Sequence, residues 1–201
     1  MQTFESLGVK KELIKALKEN NILTPTPIQE KTISTLLKFK TDFVGQAQTG
    51  TGKTAAYCIP LIESIDPKTE KVQALIIAPT RELCQQIAKQ LFKYTKYTEK
   101  IFIEKITGGV PLNLQIENLK RPTHVIVATP GRLLELINKN IISLDTVNTV
   151  VIDEADEIIT MGFKQDLDAI LNVTNQKAFT WMISATYPDD LHTMVKKYLS
   201  K

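Results

Sequence analysis

The octapeptide Ala47-Gln48-Thr49-Gly50-Thr51-Gly52-Lys53-Thr54 constrains this chain more than any other stretch, because a glycine-rich turn ending in Gly-Lys-Thr has the form of a phosphate-binding loop. The apolar run Phe43-Val44 precedes it and Ala55-Ala56-Tyr57-Cys58-Ile59 follows, so the loop is expected between a strand and a helix. Gly50 and Gly52 let successive backbone N–H groups converge on phosphate oxygens, and a helix starting near Gly52 adds its positive dipole end. Lys53 would then reach the β- and γ-phosphates of a nucleoside triphosphate, and the Thr54 hydroxyl would hold Mg²⁺. The general pattern opens with glycine, where this chain has Ala47.

The same strand, loop and helix order recurs downstream. Apolar run 72–78 leads into Pro79-Thr80-Arg81-Glu82-Leu83, run 101–106 into Thr107-Gly108-Gly109, and run 124–128 into Thr129-Pro130-Gly131-Arg132. Thr149–Ile152 leads into Asp153-Glu154-Ala155-Asp156, and run 178–183 into Ser184-Ala185-Thr186. Strands alternating with helices predict an α/β fold, a doubly wound and mainly parallel sheet with helices on both faces. Its polar loops gather at the carboxyl ends of the strands, where ligands bind.

Upstream of the phosphate loop, Leu13, Ile14 and Leu17 recur at helical spacing and predict an amphipathic helix within residues 9–20. In Thr24-Pro25-Thr26-Pro27-Ile28-Gln29, Thr26 suits an N-cap, Pro27 the first helical position and Gln29 the capping-box partner. Gln29 therefore has two readings. It satisfies the Thr26 N–H, or its amide, donor and acceptor at once, reads the edge of adenine.

A chain of 201 residues is expected to form one domain, and 43% hydrophobic with 23% charged residues is the balance of a folded globular protein. No run approaches membrane-span length, and the start shows no signal-peptide pattern, so an intracellular, cytoplasmic protein is expected, a monomer by default. Cys58 and Cys84 lack metal-ligand spacing and read as reduced, partly buried thiols. A net charge of +3 permits a nucleic-acid partner without requiring one.

An apolar strand ending in Asp153-Glu154 supplies the second half of a triphosphate site. Asp153 would hold Mg²⁺ through water and Glu154 would polarise the attacking water, unless Asp153 only caps the next helix. With these motifs in order, the chain resembles the N-terminal RecA-like domain of DEAD-box RNA helicases. Phe4, Pro25 to Gln29, Ala47 to Thr54, Pro79 to Leu83, Gly108-Gly109, Thr129 to Arg132, Asp153 to Asp156 and Ser184 to Thr186 carry the resemblance. Ala47 is usual in that family, and Asp156 favours the DEAD-box branch over relatives with histidine there.

The resemblance implies ATP and Mg²⁺ as cofactors and RNA as a largely sequence-independent partner. It implies an ATP-binding domain over 1–201, with an adenine-recognition segment within 1–30. Phe4 would stack on adenine, or merely cover the core. Thr80, Arg81, Gly108, Gly109, Thr129 and Arg132 would form the RNA surface, although Arg81 is equally suited to pair with a carboxylate. Two of the chain's three arginines stand in these loops. Asp156 would link the carboxylates to Ser184 and Thr186, which could instead cap the last helix. That helix is expected within the fifteen residues after Thr186, with Leu191, Met194, Val195, Tyr198 and Leu199 on its apolar side, leaving no room for the family's second domain. The expectation is one half of an ATP-hydrolysing RNA helicase, nearly inactive alone. A P-loop ATPase unrelated to RNA and a non-catalytic docking module stay open as alternatives.

Overall fold

The apolar runs become six short strands in a computed structural model that describes residues 2–199: β1 (Phe43–Gln46), β2 (Ala74–Ile77), β3 (Ile103–Ile106), β4 (Val125–Ala128), β5 (Thr149–Ile152) and β6 (Phe179–Ser184). They form one sheet in the order β1-β6-β5-β2-β4-β3, and every pairing is parallel. Parallel neighbours need crossovers, which α3 (Lys53–Ser64), α4 (Arg81–Tyr94), α5 (Leu112–Asn118), α6 (Pro130–Asn138), α7 (Ala155–Thr160) and α8 (Lys164–Val173) provide, while α1 (Lys11–Glu19) and α2 (Pro27–Lys38) precede the sheet and α9 (Asp189–Tyr198) follows it.

The central strands are apolar at consecutive positions because both faces are covered. Ala74, Ile76, Val125, Val127, Val151 and Ile183 point into one core, shared with Leu13 and Leu17 of α1, Ile33 of α2, Ile59 of α3 and Ile87 of α4. Their strand neighbours Leu75, Ile77, Ile126, Val150, Ile152 and Met182 point into the other, with Leu133 of α6, Ile158 of α7, Leu167 of α8 and Leu191 of α9. This period-two split confirms the doubly wound architecture.

The boundaries shift where side chains intervene. β3 starts at Ile103, two residues later than the apolar run, because the Phe102 N–H donates to His124 Nδ1 (2.9 Å) instead of joining the ladder. β6 runs one residue further than expected and takes in Ser184, opposite Gln46 of β1. Cys58 and Cys84 are fully buried free thiols, where partial burial was expected. Burial pushes the Cys84 thiol up to about 12. Among the described residues no helix is long and apolar enough to cross a membrane.

Ile76 is fully buried on β2, between β4 and β5, so Ile76→Ala leaves a cavity no surface motion can close. Urea unfolding should show a loss of about 2–5 kcal/mol.

Candidate functional site

β1 delivers the chain to the phosphate loop, and the Ala47 N–H extends the ladder onto Ser184 O (3.0 Å). Gly50 and Gly52 then take φ of +82° and +86°, a left-handed backbone that side chains resist, and Gly52 is the N-cap of α3. A Cβ on Gly52 would also lie 2.5 Å from Gln29 Nε2. Gln48, Thr49 and Thr51 complete the turn, where the Thr51 hydroxyl donates to Gln48 O (2.8 Å).

Lys53 and Tyr57 stand four residues apart on one face of α3, and both reach the end of β5. Lys53 Nζ lies 3.1 Å from Asp153 Oδ1 and 3.0 Å from Glu154 Oε1. The Tyr57 hydroxyl donates to Asp153 Oδ2 (2.8 Å). Asp153 has no exposed surface, and the Glu154 N–H also donates to it (2.9 Å). Burial pushes the Asp153 carboxyl up, against the pull of Lys53 and Tyr57. Burial likewise opposes charge on Lys53, yet Asp153 and Glu154 outweigh it and hold the ammonium above its ordinary value. Asp153 does not cap α7; Glu154 is the N-cap, at a φ of +52° that is uncommon for a non-glycine residue. Such strain persists where the surroundings hold it, and it aims Glu154 at the loop.

A cleft of about 700 Å³ opens over this pair. Thr49, Gly50, Gly52, Lys53, Thr54 and Glu154 line it with Thr26 and Gln29. The capping box is complete: Thr26 N–H donates to Gln29 Oε1 (3.0 Å), and the Thr26 hydroxyl accepts from the Gln29 N–H. Gln29 Nε2 additionally donates to Gly52 O (3.1 Å), tying α2 to the phosphate loop. Phe4 does not line the cleft. It is 3% exposed and packed in the core with Val9 and Leu13.

Asp156 gathers the end of β6. Its Oδ2 accepts from the Thr186 hydroxyl (2.7 Å) and N–H (2.9 Å), while its own N–H donates to Ser184 Oγ (3.2 Å). Neither Ser184 nor Thr186 caps α9, whose N-cap is Pro188. Burial pushes the Asp156 carboxyl up, but the bonds from Thr186 and Ser184 win and hold it below the usual 3.8.

The remaining loops line the same sheet edge but divide by role. The Thr80 hydroxyl caps α4 by accepting from the Leu83 N–H (3.2 Å) and keeps its own proton to donate. The Thr129 hydroxyl makes no cap bond. Gly108 has an ordinary φ and open space where a Cβ would be, so the fold does not require glycine there. Gly109, at φ +80°, lies under Arg81 Nη1, and Arg81 forms no ion pair among the described residues. Arg132 is bonded within the protein. Its side chain is 15% exposed, Nη1 donates to Val110 O (2.9 Å) and Gln115 Oε1 (2.8 Å), and Nε pairs with Glu135 (3.0 Å). It braces the glycine loop from below.

Several cleft residues escaped the sequence reading. Ile22, Leu23 and Thr24 line the cleft from the α1–α2 connection, and Leu83, Gln86, Gln90 and Tyr94 from α4. The i, i+4 spacing of Lys53 and Tyr57 was the available signal for Tyr57; for the α4 residues there was none.

A phosphate loop facing a strand-end acid pair on an all-parallel sheet defines a P-loop nucleotide-binding domain of the RecA-like type. This chain belongs to the DEAD/DEAH box helicase family, whose sequence model matches residues 26–194. It is 43% identical over all 201 residues to the DEAD-box ATP-dependent RNA helicase CshA of Geobacillus kaustophilus, covering 43% of that protein. It is 42% identical over 199 residues to the ATP-dependent RNA helicase CshA of Listeria monocytogenes, covering 99% of this chain and 38% of that one. The crystal structure of a DEAD box protein from the hyperthermophile Methanococcus jannaschii superposes with a TM-score of 0.95 at 36% identity, over all of this chain and 55% of that one. The chain thus spans 37–43% of the length of the curated relatives it matches.

Two outcomes follow from the geometry. Thr186→Val removes a bond that lowers the Asp156 pKa, so an NMR titration should find that carboxyl moved up towards 3.8. Because the folded value is depressed, the Asp156 contribution to stability is complete above 3.8 and lost as pH falls from there through the folded value; the variant loses less over that window. Gly109→Ala should cost about 1–2 kcal/mol in urea unfolding for its left-handed backbone, whereas Gly108→Ala stays within about 0.5 kcal/mol.

Proposed function

We propose that this domain binds ATP with Mg²⁺ in the cleft and, together with a second RecA-like domain, couples ATP hydrolysis to remodelling of RNA duplexes in the cytoplasm. The observation that carries the reading is Lys53 bridging Asp153 and Glu154 at the floor of a cleft that the phosphate loop and Gln29 also line. In this arrangement the ammonium neutralises the acid pair. Phosphate oxygens arriving at the α3 N-terminus would compete for Lys53 and draw it from the carboxylates. Thr54, which lines the cleft, and Asp153 would supply the hard oxygen donors that Mg²⁺ takes, and the ion would offset phosphate charge. Glu154, partly exposed to the cleft, is placed to orient the attacking water.

Gln29 retains one lone pair and one N–H beyond those it shares with Thr26 and Gly52, which is the pair an adenine edge needs. RNA would lie over Thr80, Arg81, Gly108, Gly109 and Thr129. Open backbone, hydroxyl protons and a guanidinium with no ion pair among the described residues suit phosphate there, and Arg132 keeps the glycine loop in place. Asp156 would pass the state of the acid pair to β6 through Ser184 and Thr186. The relatives that are more than twice as long are named as RNA helicases, which supports a second domain as the partner that completes the activity.

Calorimetric titration with Mg-ADP and Mg-GDP tests the nucleotide assignment, and Gln29→Glu is the informative variant because it keeps the capping-box acceptor while deleting the amide donor. ADP should bind tighter to the native chain and lose that preference in the variant, with thermal melting confirming that both are folded. Equal binding of the two nucleotides by the native chain would overturn the adenine reading.

A further inference from the structure

Away from the cleft, a trough of about 630 Å³ runs between α4, β3 and α5, and a second of about 620 Å³ continues it towards Lys100 and Arg121. The two share Phe92, Lys96, Ile103, Glu104 and Asn118, so they form one path along the sheet's edge strand. The helix α4 supplies one wall because Gln85, Lys89 and Phe92 recur three or four residues apart, on the flank beside its buried stripe of Cys84, Ile87 and Leu91, and Lys96 follows from the turn after it.

Its chemistry is cationic with one exposed ring, Phe92. Lys89, Lys93, Lys96, Lys100, Lys105 and Arg121 line the path, against Glu104, which is hydrogen-bonded to Asn118 (3.2 Å). Lys96 is shared with Glu19 (2.7 Å) and Lys105 is bonded to Gln85, but Lys89 and Lys93 form no ion pair among the described residues. Phe92 is 57% exposed in their midst, and the Lys100 ammonium stands 4.8 Å from the centre of the Phe102 ring. At its upper end the trough reaches Val110 and Gln115, the groups that Arg132 holds beneath the glycine loop.

We propose that this trough is a second subsite for single-stranded RNA, taking up the strand beyond the Gly108-Gly109 loop; it rests on the RNA reading above. A positive groove with an aromatic ring open to stacking, as Phe92 is here, is how proteins hold single strands without reading sequence. Continuity with the glycine loop favours RNA over an acidic peptide added to the β3 edge.

Fluorescence anisotropy with the chain and two oligouridylates, one about six and one about fifteen nucleotides long, separates these readings. Phe92→Ala should weaken the longer RNA at least about fivefold and leave the shorter one unchanged. Lys89→Ala with Lys93→Ala should flatten the dependence of log affinity on log salt by about 1.4 for the longer RNA alone. All three side chains are exposed, and thermal melting checks that the variants fold. If the longer RNA is unaffected, or both lengths weaken alike, the subsite is overturned while the loop reading stands. Failure of the native chain to bind either RNA overturns both. Displacement of the longer RNA by oligoglutamate at lower total charge overturns the subsite in favour of an acidic protein partner.

Discussion

The arrangement depends on one lysine spanning a gap in the sheet. The phosphate loop leaves β1 and the acid pair leaves β5, with β6 between them, so the two halves of the site start about two strand spacings apart, roughly 10 Å. Lys53 crosses that distance to both Asp153 and Glu154. A carboxylate as buried as Asp153 is costly unless paired and hydrogen-bonded, and Lys53, Tyr57 and the Glu154 N–H meet the requirement together. Any ligand that claims Lys53 must supply positive charge in its place. The proposed Mg²⁺ answers that demand from the oxygen side of the same cluster.

A second theme is that candidate ligand groups are already occupied within the protein. Gln29 spends one acceptor site and one proton on Thr26 and Gly52, and Thr80 spends its acceptor on the Leu83 N–H. Gln29 still has one lone pair and one N–H, and Thr80 its hydroxyl proton. Preorganisation of this sort lowers the entropic cost of binding, since the side chain is held in place before a ligand arrives. Arg132 goes further and commits Nη1 and Nε within the protein, bracing the backbone of Val110.

That brace also joins the two surfaces proposed to meet RNA. Val110 and Gln115 are held by Arg132, and both line the trough beside β3. Displacement of the glycine loop would be felt at the trough's upper end. Asp156 plays the corresponding part on the other side of the sheet, gathering Ser184 and Thr186 close to the acid pair.

Much of this was legible from the chain alone, for a physical reason. The phosphate loop, the Thr26 capping box and the six apolar runs are local patterns, set by backbone sterics, short-range hydrogen bonds and burial period, and each was found within a few residues of its place. Thr80 was legible too, as a threonine three residues before the N–H it caps, yet was read only as a ligand. The tertiary structure alone decided the rest. Strand order brings Lys53 to residues about a hundred positions away, seats Phe4 in the core, sets Tyr57 against Asp153 and turns Arg132 under the glycine loop. Apart from the i, i+4 spacing that puts Tyr57 on the Lys53 face of α3, none of these has a local signature, because a side chain's partner across a parallel sheet depends on which strands become neighbours. Periodicity says that a strand exists and not where it lies.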